Sequence, residues 1–176
     1  MVKPSTLVKR FCLSLSVPTG RLAGRSIKLA PYQNRFIDGA FAEGVNVGVL
    51  SVGRGNGKSA ISAMLCAGEL VGAWSDAAER EIIIAARTQD QSKIAWNYTA
   101  SFISTLPEDV QANITIRRQP RFEIQYDDHN GPHILKAISA DGKSALGSSP
   151  TLAVLDERGH WPLAAGDELE AALLTG

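Results

Sequence analysis

Residues 45–59 read VNVGVLSVGRGNGKS. The first eight are rich in β-branched side chains and almost continuously apolar, which predicts a strand buried on both faces, as in a parallel sheet. A glycine-rich turn follows, and residues 58–74 carry apolar side chains at helical spacing. A strand, a glycine-rich turn and a helix in this order are the setting in which phosphate-binding loops occur.

The turn supplies groups that suit a chain of phosphates. Glycine lets the backbone curl so that its N–H groups face phosphate oxygens, and the start of the next helix adds partial positive charge. Lys58 can reach between the β- and γ-phosphates, and the Ser59 hydroxyl can bind Mg²⁺. The predicted nucleotide-binding residues of the loop are Gly53, Arg54, Gly55, Asn56, Gly57, Lys58 and Ser59. The strict pattern has glycine where this chain has Val52, so a glycine-rich surface turn is the competing interpretation.

A second apolar run, residues 151–155 (TLAVL), ends at two carboxylates, Asp156 and Glu157. Ligands of open α/β sheets bind at the carboxyl ends of the strands. Asp156 is therefore predicted to hold Mg²⁺ through its water shell, and Glu157 to orient and deprotonate an attacking water. A general base for water indicates ATP hydrolysis rather than phosphate transfer to a metabolite. The alternative is a pair of structural acids at a strand end.

The remaining segments complete an alternating pattern of strands and helices. Residues 81–87 (EIIIAAR) predict another buried strand, and Thr88 with Gln91 has the spacing of a capping box that opens a helix to about residue 106. We predict further strands at residues 113–118, 122–126 and 133–139, part of them as a half-exposed hairpin, and helices at residues 31–44 and 167–174. These elements predict an α/β fold with a mostly parallel central sheet flanked by helices.

Length and charge indicate one domain with a leader. The chain has 176 residues, 44% of them hydrophobic, and its 18 basic and 18 acidic side chains cancel. Residues 1–30 hold six Lys or Arg and no acid, which predicts a loose basic leader that either contacts DNA phosphates or is simply solvated. Residues 31–176 are then the domain. Arg117, Arg118 and Arg121 form a second basic cluster, which either faces DNA or guards an exposed strand edge.

Other residues that often carry chemistry are assigned to structure. Cys12 and Cys66 lack zinc-ligand spacing and indicate a reducing, intracellular setting. His129 and His133 flank a Gly-Pro turn, which excludes a helical metal pair, so both are predicted to lie on the surface. The tryptophans Trp74, Trp96 and Trp161 are predicted to be packing residues. The apolar stretch at residues 11–17 is too short to span a bilayer, so no membrane contact is expected.

In this order the motifs resemble the large subunits of phage terminases of the HK97-like type, the packaging ATPases of tailed phages. The loop of that family often lacks the first glycine and carries an arginine, as in GRGNGKS at residues 53–59. Similar segments are GRLAG (20–24), LAPYQ (29–33), AARTQDQ (85–91), SADGK (139–143) and His160-Trp161 after the acidic pair. The resemblance implies a P-loop NTPase fold of the ASCE, RecA-like type.

The resemblance also implies roles for single residues. Gln33 would read adenine by hydrogen bonds, and Arg54 would sense or neutralise the γ-phosphate, much as an arginine finger does. The implied catalytic residues are Glu157, Arg54 and Lys58, and the implied metal ligands are Ser59 and Asp156. ATP is the implied substrate and Mg²⁺ the implied cofactor.

The implied partners are double-stranded DNA, the small terminase subunit, the portal protein of the procapsid and further copies of the chain in a ring, in the cytoplasm of the bacterial host. Lys143 is a candidate for the basic residue that a neighbouring subunit supplies, or else a solvated loop charge. The family's coupling motif and nuclease domain are not found before residue 176, so a motor-domain piece with weak or no turnover of its own is expected. Two other functions stay open: a helicase-like ATPase of superfamily 1 or 2, and a nucleotide-binding assembly module without turnover.

Overall fold

The computed structural model describes residues 2–140 and 147–174. The helices are α1 (Pro4–Ser14), α2 (Pro31–Ala40), α3 (Lys58–Leu70), α4 (Gln89–Ile103), α5 (Glu108–Gln111) and α6 (Leu163–Leu174), with a 3₁₀ turn at Arg158–His160. The strands are β1 (Glu81–Ala86), β2 (Ile114–Arg117), β3 (Glu123–Asp128), β4 (Gly131–Ser139) and β5 (Leu152–Leu155). In these ranges every helix is too short or too polar to span a bilayer.

The five strands form one sheet in the order β2-β3-β4-β1-β5. β1 lies between β4 and β5 and is parallel to both, whereas β2, β3 and β4 pair antiparallel. The predicted parallel arrangement therefore applies to three strands, and the predicted hairpin is the antiparallel part of the same sheet. With helices packed on both faces, the α/β fold class is confirmed.

The unbroken apolar sequence of β1 follows from its central place in the sheet. Ile82 and Ile84 face a large core that they share with α1, α3 and α4. Ile83 and Ala85 face a smaller core on the other side, completed by Leu169 and other residues of α6. Because successive side chains of a strand point to opposite faces, only a strand covered on both sides needs apolar residues throughout.

The predicted strand at residues 45–52 is not formed. The segment runs without strand pairing, and Val45, Val47 and Val49 are exposed, Val49 at 85%. Its backbone rests on α2: a Cβ at Gly48 would lie 2.9 Å from the Cβ of Ala40. An apolar, β-branched run indicates that a segment suits a sheet interior, but a strand also needs neighbours for its N–H and C=O groups. In the described residues β5 pairs with β1 alone, and no strand pairs with residues 45–52.

The leader is not loose, in contrast to its prediction. Its first half is α1, which has proline in its first turn, and Val8, Cys12 and Leu15 are completely or almost completely buried in the large core. Their spacing is that of one helical face, while Lys9 on the outer side pairs with Asp38 of α2. The prediction of a loose leader was based on the basic residues of this segment and did not consider the spacing of its apolar residues. The division of the chain at residue 30 stays a prediction.

His133 is buried, which corrects its predicted surface position, whereas His129 is exposed. His133 Nδ1 accepts a hydrogen bond of 3.1 Å from the backbone N–H of Arg80, and its Nε2 lies 2.9 Å from Asp128 Oδ1. The buried guanidinium of Arg80 lies 2.9 Å from the other oxygen of Asp128. This cluster ties the start of β1 to β3 and β4, at the end of the sheet where β1 begins.

The helical glycines Gly68 and Gly39 give a matched test of the packing around α3. A Cβ at Gly68 would lie 2.2 Å from the Trp74 ring and 2.7 Å from Phe11, whereas a Cβ at Gly39 meets nothing within 4 Å. We expect Gly68→Ala to lower the free energy of unfolding by about 1–3 kcal/mol through overpacking. Gly39→Ala should raise it by up to about 1 kcal/mol through helix propensity. Urea denaturation measures both, and equal shifts for the two variants would contradict this packing.

The charge of Asp128 should make stability depend on pH. Partial burial on its own raises the pKa of Asp128. Hydrogen bonds from His133 and Arg80 lower it by a larger amount, so the pKa in the folded state is well below its usual value. A carboxylate whose pKa is lower in the folded state stabilises above its unfolded pKa of about 3.9, and this contribution is lost as pH falls below that value. At pH 7 we expect Asp128→Asn to cost about 1–3 kcal/mol, because Arg80 keeps a buried charge without its partner.

The comparison is made by chemical denaturation at pH 7 and near pH 3. The difference between Asp128→Asn and the parent chain should shrink near pH 3, because the unfolded parent then takes up a proton at Asp128 that the folded parent does not, and this removes part of the stabilisation by the charge. Asp127→Asn, one residue earlier on β3 and exposed, is the control and should change little at either pH. A gap for Asp128→Asn that is as wide near pH 3 as at pH 7 would rule out the carboxylate charge as its source.

Candidate nucleotide-binding site

The glycine-rich loop turns sharply into α3. Gly55 and Gly57 have φ angles of 78° and 73°, in the left-handed region that residues with a Cβ rarely adopt. Gly57 is the N-cap of α3, and the helix has neither a side-chain cap nor an acidic residue in its first turn. An anion placed there meets backbone N–H groups and the positive end of the helix dipole, with no competing carboxylate from the first turn.

The start of α2 braces the loop. The Tyr32 hydroxyl donates a hydrogen bond to the carbonyl oxygen of Asn56, and Asn56 Nδ2 donates one of 3.1 Å to Gly53 O. Gln33 is nearly buried, and its Nε2 faces Gly57, where an added Cβ would lie 3.4 Å away. Its Oε1 accepts a hydrogen bond of 2.9 Å from the backbone N–H of Ala30. The residue predicted to read adenine thus lies against the loop, with one end of its amide engaged in capping α2.

Lys58 lies between the two acids that follow β5. Its Nζ is 3.6 Å from Asp156 Oδ1 and 3.7 Å from Glu157 Oε1. The parallel pairing with β1 fixes the position of Asp156 relative to the sheet, because the Asp156 N–H donates a hydrogen bond of 2.8 Å to Ala85 O. All three side chains are partly exposed, at 33% for Lys58, 22% for Asp156 and 46% for Glu157. Loop and acids therefore meet at one edge of the sheet.

The backbone at Glu157 is unusual. Its φ of 53° is the only positive φ at a non-glycine residue in the described ranges. A left-handed residue with a Cβ costs about 1–2 kcal/mol, and such conformations cluster at functional sites. β5 ends at Leu155, and the carboxylates of the two residues that follow both lie within 3.7 Å of Lys58 Nζ.

Two further predicted site residues, Arg54 and Ser59, lie in the described part of the chain. Arg54 is exposed in the loop, and Ser59 is half-buried in the first turn of α3. Lys143 lies outside the described residues. In residues 2–140 and 147–174 no group of three or more His, Cys, Asp or Glu side chains could hold a metal ion. Mg²⁺ does not need such a cage, because it usually binds one or two carboxylates, substrate phosphates and water.

Two residues at this edge were not given these roles from the sequence. Tyr32 was quoted only as part of a similar segment, although its hydroxyl binds the loop. Trp161 was assigned to packing, although its indole N–H also reaches the backbone of Asp156. No spacing rule reveals either bond, because each joins segments whose relative position is set by the whole fold.

Comparison with known proteins places these features in a family. Residues 32–173 match the family described as "Terminase large subunit, ATPase domain". The terminase large subunit of Enterobacteria phage HK97 is 30% identical over 87% of this chain. The crystal structure of the HK97 large terminase superposes with a TM-score of 0.75 and 25% identity over 100% of this chain. The large terminase ATPase domain of Thermus phage P74-26 superposes with a TM-score of 0.54 and 21% identity over 69% of this chain, which supports the fold alone.

The chain corresponds to only part of these proteins. It spans 29% of the length of the HK97 large subunit in the sequence comparison and 36% of that chain in the structural one. It spans 52% of the P74-26 domain. What the complete relatives do is therefore evidence about the family and not a measurement on this chain.

Proposed function

Because the chain belongs to the family of terminase large-subunit ATPase domains, we propose that it binds ATP with Mg²⁺ and hydrolyses the γ-phosphate to drive DNA packaging. The observation that carries this proposal is the approach of Lys58 Nζ to within 3.6 Å and 3.7 Å of the two carboxylates after β5. A phosphate-binding lysine beside a metal-holding acid and a general base is the minimum equipment for ATP hydrolysis.

Binding begins at the loop. The N–H groups at residues 53–57 and at the start of α3 are available to phosphate oxygens, and they attract anions without any side-chain charge. The Lys58 ammonium is within a few ångströms of the acids, so a small rotation of its flexible side chain is enough to meet the β- and γ-phosphates. Gln33, packed against Gly57, is the proposed contact for adenine.

The residues present fit Mg²⁺. Asp156 offers a partly exposed carboxylate, and Ser59 offers a hydroxyl from the first turn of α3. We propose these two side chains as its protein ligands, the acid through water. When bound, Mg²⁺ neutralises the charge that develops on the phosphate oxygens during transfer.

Hydrolysis needs a base directed at water. Glu157 is the most exposed of the three central side chains, and it follows Asp156 in a left-handed backbone conformation. We propose that its carboxylate orients the attacking water and accepts its proton. Arg54, exposed in the loop, would neutralise charge on the γ-phosphate.

Membership of the family supports the wider role. In this proposal the hydrolysed ATP moves double-stranded DNA into the procapsid, in the cytoplasm of the bacterial host. The chain would work as part of a ring, with the portal protein and the small terminase subunit as partners. The supporting observations are the family match and the superposition on the HK97 large terminase.

Replacement of Lys58 tests the binding site. We expect Lys58→Ala to weaken ATP binding in the presence of Mg²⁺ by about 10- to 100-fold, because a charge-assisted hydrogen bond contributes about 1.5–3 kcal/mol. Isothermal titration calorimetry measures the dissociation constant. Lys93→Ala is the matched control, since Lys93 pairs with Asp90 on the surface of α4. Parent-like affinity in Lys58→Ala would show that the site is wrongly assigned.

Replacement of Glu157 separates binding from turnover. We expect Glu157→Gln to bind ATP within about threefold of the parent, and to hydrolyse it at least about 100-fold more slowly, as for loss of a general base. Because slow turnover is expected, the rate is measured with protein in excess over radiolabelled ATP. Glu168→Gln, exposed on α6, is the control. A parent chain that binds ATP without any Glu157-dependent hydrolysis would instead favour a nucleotide-binding assembly module.

A further inference from the structure

The chain that leaves the acidic pair folds back on it through Trp161. After Glu157 a 3₁₀ turn, Arg158–His160, reverses the direction of the backbone. Trp161 then places its indole Nε1 3.0 Å from the carbonyl oxygen of Asp156, to which it donates a hydrogen bond. The side chain of Trp161 is almost completely buried, with 5% exposed. The bond therefore comes from a fixed side chain rather than from a mobile surface group.

The smaller core holds the indole from one side. Trp161 packs with Ile83 and Ala85 of β1 and with Leu169 of α6, in a cluster separate from the large core. Ala85 also accepts the hydrogen bond from the backbone N–H of Asp156. β1 therefore fixes both the position of the Trp161 indole and the position of the Asp156 backbone.

Arg158 also contacts the indole ring. Its guanidinium carbon lies 5.6 Å from the centre of the Trp161 ring, within the range of a cation–π contact. The guanidinium is anchored to α6 by a bond of 3.1 Å from Nε to Glu170 and by an ion pair with Asp167. It also fills the space beside Gly166, where an added Cβ would lie 2.5 Å away. Arg158 therefore connects the turn after Glu157 to α6.

The peptide between Asp156 and Glu157 is the element these contacts control. Its carbonyl oxygen is the acceptor of the indole bond, and the next residue has the unfavourable left-handed φ of 53°. A strained conformation persists only where its surroundings fix it. The orientation of this peptide decides where the Glu157 side chain points, so a loss of the indole bond should be felt first at Glu157.

We propose that Trp161 is a positioning residue for ATP hydrolysis: its indole N–H fixes the Asp156–Glu157 peptide, and Arg158 clamps the indole in place. The proposal rests on the hydrolytic function argued above and adds to it a residue that touches neither nucleotide nor metal. It predicts an effect on the rate of hydrolysis that is separate from ATP affinity and from the stability of the fold.

The test removes the N–H and keeps the ring. Trp161→Phe retains an aromatic packing group, and replacement of Trp161 by benzothienylalanine retains the size of the indole while exchanging its N–H for sulfur. For both variants we expect ATP affinity, measured by calorimetry with Mg²⁺, to stay within threefold of the parent. The single-turnover rate of hydrolysis should fall by about tenfold, because both variants lose one hydrogen bond, and this bond affects the orientation of the reacting groups rather than the binding of ATP.

Trp74→Phe is the matched control. Trp74 is a packing tryptophan that contacts the rings of Phe11 and Phe41, and it belongs to the large core on the opposite face of the sheet from Trp161. Its replacement should lower the thermal midpoint and leave the rate per folded molecule unchanged. A fall in rate that merely follows lost stability would therefore appear in this variant as well.

The outcomes are distinguishable. A slower rate with retained affinity in both Trp161 variants, and not in Trp74→Phe, supports the proposal. A parent-like rate in the benzothienylalanine variant overturns it and leaves the hydrolytic function intact. An equal fall in rate for Trp74→Phe overturns it as well, because packing alone would then be responsible. A parent chain without Glu157-dependent turnover removes the hydrolytic function and this inference together.

Discussion

The parallel pairing of β5 with β1 is the constraint on which the rest of the site depends. The register that sets Leu155 opposite Ala85 fixes the end of β5, and the backbone bond from Asp156 to Ala85 holds the first acid there. The ammonium of Lys58, carried by the start of α3, then lies within 3.6 Å of that acid. A shift of one residue in this pairing would turn the side chains of β5 to the opposite faces and separate the acids from the loop.

The two ends of the sheet differ in a way that fits a division between scaffold and site. At the end where β1 begins, Arg80, Asp128 and His133 are largely buried and contact one another, so the charges compensate within the protein. At the other end Lys58 faces two carboxylates, and all three groups are partly exposed. Buried, compensated charge stabilises one fixed arrangement, whereas exposed charge in unequal number is available to a ligand.

Much of this could be predicted from the sequence, since the loop and the acidic pair each follow from local residue types and their order. The strand at residues 45–52 could not be judged in this way, because a strand depends on neighbours that its own sequence does not encode. The burial of His133 depends on Arg80 and Asp128, which other strands bring to it. Trp161 was recognised as a packing residue, but its bond to Asp156 becomes visible only once the 3₁₀ turn is known.

The position of Lys58 also links the steps of the proposed reaction. One ammonium cannot neutralise the two acids and a chain of phosphates at the same time. When Lys58 turns to the phosphates, Asp156 and Glu157 lose their common partner, and two like charges remain close together at the end of β5. A divalent cation held by Asp156 would relieve that repulsion, and Glu157 would remain the free carboxylate. In the proposed reaction, nucleotide and metal are therefore expected to bind cooperatively.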